Sequence, residues 1–290
     1  MESKYDNILI PVDFGRRTDI QIQQAYYLAR LMNSSMTLVH IINQRNSISY
    51  QDQQSTISYD EADENVVTKI RRLANHFSIK FSHDVDYAVL EGNVYEQIVD
   101  FAEKTHARLI VMGKSGKTSP LQNSIGKYTA QVVRMARCPV LTINSIVKSS
   151  FDKILLPLDL SKQIKNKIAV AVLFSRYYGS TIKLLTVITR DNFSREKEFL
   201  EKMGRTHEFL TENNVACTTE IIYNFSGNTS VADRIIQYAT DTESDIIMIM
   251  TQQEQDWRHT YVGSTASNVI KNSQIPVISI TPNEDAVRNI

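Results

Sequence analysis

The sequence has 290 residues, with 32 Lys and Arg against 32 Asp and Glu, a formal net charge of zero and 42% hydrophobic residues. This composition excludes a disordered chain, a collagen and a coiled coil. The balanced charge leaves no long-range field to attract nucleic acid or an anionic membrane, so we expect neither as a partner. At roughly 150 residues per domain, the length predicts about two domains.

In chain order, short runs of Val, Ile and Leu alternate with longer segments of helical period, which predicts βαβ units and a parallel sheet in each half. The first half has candidate strands near residues 7–12, 36–42, 84–90, 108–112 and 139–143, and helices near 18–32, 61–78, 94–105 and 127–137. The second half repeats this order, with strands near residues 153–158, 181–188, 216–223, 245–249 and 276–280. The polar stretch 43–60 predicts a long loop.

A sequence repeat indicates the domain organisation. Residues 7–13, NILIPVD, return as residues 153–159, KILLPLD, and later matches keep the same order along both halves. Self-similarity at this spacing is typical of a duplicated domain. We therefore predict two copies of one fold, domain 1 at residues 1–146 and domain 2 at residues 151–290.

Three of the nine glycines lie close together in the first half. Gly113 and Gly116 follow the predicted strand 108–112, and Gly126 precedes the next helix. Glycine permits close backbone approach and positive φ, and the free N–H groups of a helix start attract anions. In an open α/β sheet, ligands bind beyond the carboxyl ends of the strands. The arrangement suits a phosphorylated ligand, and the alternative is a compact turn.

These residues carry a family resemblance. The chain resembles the universal stress protein family in its tandem, two-domain form. The family's pattern G-x2-G-x9-G-[S/T] matches Gly113-x2-Gly116-x9-Gly126 except at its last position. Further matches are Pro11-Val-Asp13, Leu38-Val-His-Ile41, Glu91-Gly92, Leu109-Ile-Val-Met112 and Cys138-Pro-Val140.

The resemblance implies an α/β fold of two repeated domains. Each domain would be a five-stranded parallel sheet flanked by helices, Rossmann-like and of the adenine nucleotide alpha hydrolase type. The resemblance also implies a regulatory or protective role under stress, a nucleotide pocket in some members, and dimerisation through the last strand. The ligand it implies is ATP or ADP, with or without Mg²⁺, and the alternative is no cofactor.

By this resemblance, the first half supplies the nucleotide site. Asp13 would contact the nucleoside, although a strand-end aspartate that caps the following loop is the equal alternative. Lys127 stands where binding members have Ser or Thr, and it would either contact the phosphates or occupy their place. Two residues would line the adenine slot, two glycines would let the ribose and phosphates approach, and a third glycine with the backbone after it would hold phosphate. In that order they are Ile41 and Met112, Gly113 and Gly116, and Gly126, so the predicted site is Asp13, Ile41, Met112, Gly113, Gly116, Gly126 and Lys127.

The second half keeps a different part of the pattern. Met250 and Gln253 stand where the first half has glycines, so side chains would occupy the space that the ligand needs, whereas Ser264 restores the hydroxyl of the motif. We therefore expect a degenerate second site. Its candidate residues are Asp159, Val187, Met250, Gln253, Gly263, Ser264 and Thr265.

Several other chemistries are excluded by spacing. Gly116-Lys-Thr118 resembles the end of a P-loop, but Val111 stands where the first P-loop glycine is needed. The six histidines have no zinc-site spacing, so we expect no metal site, and no nucleophile signature points to a catalytic residue. The two cysteines have no paired spacing, and the sequence starts without a signal peptide, so we expect reduced thiols and a cytoplasmic protein.

We therefore predict a stress-response regulatory or protective module that binds an adenine nucleotide in domain 1 and acts through an unknown protein partner. The alternatives are a scaffold with vestigial pockets and a slow ATPase. The apolar strands 139–143 and 276–280 close the two repeats, and an unpaired edge strand is sticky. We expect them to pair within the chain as an intrachain pseudo-dimer, with a homodimer through the outer helices left open.

Overall fold

The computed structural model of the protein describes residues 7–43, 59–114, 125–144, 147–159, 164–251 and 262–281. Gly116 and Gln253, two of the predicted site residues, lie outside these ranges, as does most of the predicted loop 43–60. Each half contains five strands and four α-helices within the described residues.

The elements follow the predicted order. The first half contains β1 Asn7–Pro11, α1 Thr18–Met32, β2 Ser35–Ile42, α2 Tyr59–Phe81, β3 Val85–Glu91, α3 Val94–Lys104, β4 Ala107–Gly113, α4 Lys127–Met135 and β5 Val140–Ile143. The second half contains β6 Lys153–Pro157, α5 Ile164–Tyr178, β7 Thr181–Thr189, a 3-10 turn at Arg190–Arg195, α6 Glu196–Glu212, β8 Cys217–Asn224, α7 Val231–Asp241, β9 Ile246–Met250, α8 Ser264–Asn272 and β10 Val277–Ile280.

All ten strands form one sheet in the order β3-β2-β1-β4-β5-β10-β9-β6-β7-β8. Every strand pair within a half is parallel, as the sequence predicted. The two halves meet where β5 pairs antiparallel with β10, with Leu141 opposite Ile278. The expected pairing of the two closing strands within one chain is therefore confirmed.

Helices cover both faces of this sheet, which explains why the central strands are apolar along their whole length. One core contains side chains of α1, α2, α5 and α6 packed on one face, and the other core contains side chains of α3, α4, α7 and α8 on the opposite face. In β9 all five residues are buried. None of the helices in the described ranges has the length and apolarity to cross a bilayer.

Side chains reinforce the junction between the halves at the helix ends. The last carbonyls of a helix lack partners inside the helix. The Lys114 ammonium, from the first half, donates to the carbonyl of Ser273 at the end of α8, at 3.1 Å. Thr281, from the second half, donates its hydroxyl to the carbonyl of Ala136 at the end of α4. Each half thus caps a helix of the other.

The connection between the halves is held in place as well. Lys148 lies between β5 and β6, and its backbone N–H and carbonyl both bond to the side chain of Gln24 on α1. Its ammonium pairs with Asp245 at 2.7 Å. Asp245 also accepts from the N–H of Lys153 at 3.0 Å, so one carboxylate joins the connection to the start of β6.

Candidate functional site

The strand order places a crevice in each half. From β1 the chain moves outward to β2 and β3, and then returns to place β4 on the other side of β1. The second half repeats this reversal between β6 and β9. In parallel α/β sheets, ligands bind at such switch points, beyond the carboxyl ends of the strands.

In the first half, one amide spans the switch point. Gln21 on α1 donates its Nε2 protons to the carbonyls of Pro11 and Val111, both at 2.7 Å. These carbonyls belong to the ends of β1 and β4, where the two strands separate. The buried Gln21 side chain therefore fixes the inner wall of the crevice. Gln21 was not among the predicted site residues, although a glutamine on the apolar face of a helix is a signal of a buried polar contact.

The start of α4 is anchored to the end of β4. The N–H of Gly126 donates to the carbonyl of Lys114 at 2.7 Å, and the N–H of Lys114 donates to the carbonyl of Ile143 at the same distance. Thr129 donates its hydroxyl to the carbonyl of Gly113 at 3.0 Å. Gly126 is the N-cap of α4 and offers no side-chain cap, and the start of a helix favours a nearby anion.

The structure defines the backbone at two glycines of this loop. Gly126 has φ −62° and ψ 143°, and Gly113 is the last residue of β4, paired with Ile143. The backbone of Gly126 is therefore extended, a conformation that is open to any residue. Positive φ occurs instead before α3 and α7, at Gly92 with φ 130° and Gly227 with φ 70°.

The other predicted residues of the first half lie around the same crevice. Ile41 and Met112 are the next-to-last residues of β2 and β4, and both belong to the core on the α3 and α4 side of the sheet. Asp13 is exposed, and its Oδ1 accepts a hydrogen bond from the N–H of Gly15 at 2.9 Å. Asp13 therefore caps the loop after β1. Lys127 is exposed as the first residue of α4.

A histidine adjoins this site. His40 Nδ1 lies 2.8 Å from the carbonyl of Val12, and its ring packs against Phe14 with centroids 4.8 Å apart. Burial lowers the pKa of His40, an effect that the hydrogen bond to Val12 and the nearby Asp13 carboxylate oppose. His40 lay within a sequence motif, but its contact with the strand end was not predicted.

In the second half, the crevice is a cavity of about 200 Å³. It lies at the carboxyl ends of β6, β7 and β9, beside the start of α8. Five of the predicted residues line it, namely Asp159, Val187, Met250, Gly263 and Thr265. Ser264 is the first residue of α8.

The backbone frame of the second crevice repeats that of the first. The N–H of Gly263 donates to the carbonyl of Thr251 at 2.8 Å, and the N–H of Thr251 donates to the carbonyl of Ile280 at 3.0 Å. Gly263 is the N-cap of α8, as Gly126 is of α4. A Cβ built on Gly263 would meet no atom within 4 Å, so this glycine faces open space.

A lysine occupies the place of Gln21 in the second half. The spacing from Asp159 to Lys167 equals that from Asp13 to Gln21, and Lys167 donates its Nζ proton to the carbonyl of Pro157. Lys167 is 2% exposed and lines the cavity. Burial lowers the pKa of Lys167, Asp159 opposes this effect, and Lys202 adds to it. Lys167 was not among the predicted residues of the second site.

The described residues contain no cluster of three or more His, Cys, Asp or Glu that could hold a metal ion. What the two crevices offer is hydrogen bonding and charge. Each has backbone N–H groups at a helix start and an apolar slot on one side, and the second adds a buried amine.

Comparison with known proteins matches both halves to one family. The model of the universal stress protein family matches residues 4–144 and 150–280. Two universal stress proteins of Methanocaldococcus jannaschii are 28% and 27% identical, and each match covers 49% of this chain and 84% or 97% of the relative.

Solved structures share the whole fold. A universal stress protein of Archaeoglobus fulgidus superposes with a TM-score of 0.74 at 16% identity, over 97% of this chain and 100% of the other. A protein of Pseudomonas aeruginosa described as functionally unknown superposes with a TM-score of 0.66 at 15% identity, over 98% and 94%. At these identities the likeness shows the fold alone.

Proposed function

Because the chain belongs to the universal stress protein family, we propose that it is a cytoplasmic stress-response regulatory or protective protein that binds ATP or another adenine nucleotide in its first half. Family membership supports the stress-related role. The observation that carries the nucleotide proposal is the uncapped start of α4, anchored through Gly126 beside the β1 and β4 switch point. The protein partner through which it acts is unknown.

The first crevice offers a candidate contact for the adenine ring and for the phosphates of a nucleotide. The flat adenine ring would lie against Ile41 and Met112, whose buried side chains belong to one apolar core. The phosphates would lie at the first turn of α4, where the N–H groups of a helix start and the helix dipole favour negative charge. Lys127, exposed at the first position of this helix, would place its ammonium beside them.

Asp13 is oriented for a supporting role. Its hydrogen bond with the N–H of Gly15 fixes the carboxylate at the mouth of the crevice. A Cβ on Gly15 would lie 2.8 Å from Oδ1 of Asp13, so only glycine leaves this carboxylate in place. We propose that Asp13 accepts a hydrogen bond from the ribose while it holds the loop.

Calorimetric titration of the full chain with ATP and with adenosine tests the proposal. Gly113→Met gives the first half the residue that stands at position 250, and it is expected to weaken both ligands because a side chain enters the crevice. Lys127→Ala is expected to weaken ATP more than adenosine, since it removes a charge beside the phosphates. Lys271→Ala, an exposed lysine at the other end of α8, is the control and should change neither.

Two outcomes contradict the proposal. The first is a folded wild-type chain that binds neither ATP nor adenosine. The second is binding that Gly113→Met leaves unchanged. Mass spectrometry of small molecules released by denaturing the purified protein gives an independent measurement, because a bound nucleotide would be recovered directly.

A further inference from the structure

We propose that the cavity of the second half is a binding site for a small apolar carboxylate, whose anionic end is recognised by the ammonium of Lys167. This inference concerns a different crevice from the proposed nucleotide site and does not depend on it. The ligand class follows from three observations, which are the position of Lys167, the charges around it and the walls of the cavity.

The first observation is the position of the amine. Lys167 projects from α5 to the end of β6, where it is 2% exposed and lines the cavity. It donates to the carbonyl of Pro157. An ammonium carries three N–H donors, so this bond leaves the group able to bind another acceptor in the cavity.

The second observation is the balance of charge. Asp159 on the segment after β6 and Lys202 on α6 are the charged groups that act on Lys167 within the described residues. The loss of hydration outweighs the attraction of Asp159, so the pKa of Lys167 lies below its ordinary value. A buried charge that is only partly compensated is costly. Asp159 also lines the cavity and would repel an anion, so the anionic end of a ligand would lie at Nζ, where it reduces that cost, rather than beside Asp159.

The third observation is the apolar character of the β7 and β9 walls, whereas Asp159 and Asn192 lie elsewhere in the lining. The cavity is bounded on its β7 and β9 sides by Leu185, Val187, Ile249 and Met250. A ligand with a hydrocarbon body would bury that body against these side chains. The thioether of Met250 stands where the first half has glycine, so the space for ribose and phosphates is reduced and a shorter ligand fits better.

The first half provides the contrast. Gln21 occupies the same place, but it is neutral and directs its amide protons to two backbone carbonyls. Gln21 therefore bonds to two strand ends, whereas Lys167 bonds to one strand end and lines the cavity. This difference supplies the matched substitution Lys167→Gln, which gives the second half the residue of the first.

The experiment uses hexanoate as the probe and 1-hexanol as its neutral counterpart, titrated calorimetrically into the full-length protein. We expect the wild-type chain to bind hexanoate more tightly than 1-hexanol. Lys167→Gln and Lys167→Met should weaken hexanoate about tenfold or more, the usual effect of losing a hydrogen bond to a charged group. They should leave 1-hexanol unchanged. Circular dichroism of both variants checks that they fold, and Lys167→Met replaces the ammonium with an apolar side chain of similar length.

The dependence on pH is a second readout. Recognition needs the ammonium, so the affinity of the wild-type protein for hexanoate should fall as the pH rises through the pKa of Lys167, below its ordinary value of 10.5. Lys167→Met should show no such fall. Any of three results overturns the proposal, namely no hexanoate binding by folded wild-type protein, hexanoate binding by both variants that is as tight as that of the wild type, or equal binding of hexanoate and 1-hexanol by the wild type. ATP titration of the same samples reports separately on the first half.

Discussion

In the first half the carbonyl of Pro11 accepts a hydrogen bond from the amide of Gln21, and in the second half the carbonyl of Pro157 accepts one from the ammonium of Lys167. The backbone around these contacts is the same. Val12 donates to Val39 in one half, and Leu158 donates to Leu185 in the other. The comparison teaches that strand ends and helix starts determine the crevice, while a few side chains determine its chemistry.

The largest expected effect on stability comes from disrupting the pair of β5 and β10, which joins the two halves. Leu141→Asp places a carboxylate in the fully buried pair with Ile278, where nothing compensates its charge. We expect a loss of about 3–5 kcal/mol in unfolding free energy. Urea unfolding followed by fluorescence and circular dichroism should then show two transitions, because each half loses its neighbour.

Leu200→Asp is the matched control for that experiment. Leu200 is 45% exposed on α6, so the same substitution should change stability by no more than about 0.5 kcal/mol. A Leu141→Asp protein that unfolds in one transition at the wild-type midpoint would contradict the role of the β5 and β10 pair.

The next prediction compares the stability effects of one substitution at two equivalent positions, 21 and 167. Gln21→Met leaves the carbonyls of Pro11 and Val111 without the amide, and it should cost about 1–3 kcal/mol. Lys167→Met also leaves a carbonyl, that of Pro157, without its donor, but it removes a buried charge at the same time, so at neutral pH it should cost less than Gln21→Met. Thermal and urea unfolding of the two variants measure both values.

The sign of the Lys167 effect with pH can be worked out. The folded pKa of Lys167 is lowered, so between that value and 10.5 the unfolded chain binds more protons than the folded one. The contribution of Lys167 to the free energy of unfolding of the wild type therefore rises with pH between its folded pKa and 10.5. The stability of Lys167→Met relative to the wild type should therefore fall as the pH approaches 10.5, and a rise instead would contradict the assignment.

Glycines at equivalent turns give a smaller and graded effect. Gly92 precedes α3 with φ 130°, a conformation that side chains do not adopt, and a Cβ there would lie 3.3 Å from the Gln97 side chain. Gly92→Ala should cost about 1–3 kcal/mol. Gly227 has φ 70° and open space around it, so Gly227→Ala should cost about 1 kcal/mol. Equal costs in urea unfolding would show that the two turns are not distinguished by strain.

The smallest expected effect concerns the connection between the halves. Asp245→Asn weakens the pair with Lys148 and should cost about 1 kcal/mol, less at high salt, because the pair is partly buried. Glu201→Gln, which breaks an exposed pair with Arg205, is the control and should change stability by a few tenths of a kcal/mol, about the value of a surface pair. Urea unfolding at two salt concentrations makes the measurement.

Most of the fold could be predicted from the sequence, because periodicity and the repeat carry it. The strand expected near 84–90 is β3 at Val85–Glu91, and the helix expected near 18–32 is α1 at the same residues. The helix expected near 61–78 extends to Phe81, since Phe81 stacks on Tyr26 and Ser82 with φ 50° ends it. A ring contact with another helix cannot be read from local periodicity.

The site was predictable only in part. Motif spacing placed Met112, Gly126 and Asp159 at strand ends and helix starts, because the chain itself sets these positions. Gln21 and Lys167 were missed, because their importance depends on which carbonyls and cavity walls a distant strand brings to them. A polar residue on an otherwise apolar helix face is the signal that could have found both.

The antiparallel pair of β5 and β10 also has a genetic consequence. In a symmetric dimer of identical chains, every mutation is inherited by both subunits, so a change that suits one pocket is imposed on the other. Here the two pockets are encoded by separate codons but share one continuous sheet. A duplication of this kind allows Gln21 and Lys167 to be selected independently. Both pockets are nevertheless inherited together, because one chain encodes them, and they fold on one shared sheet.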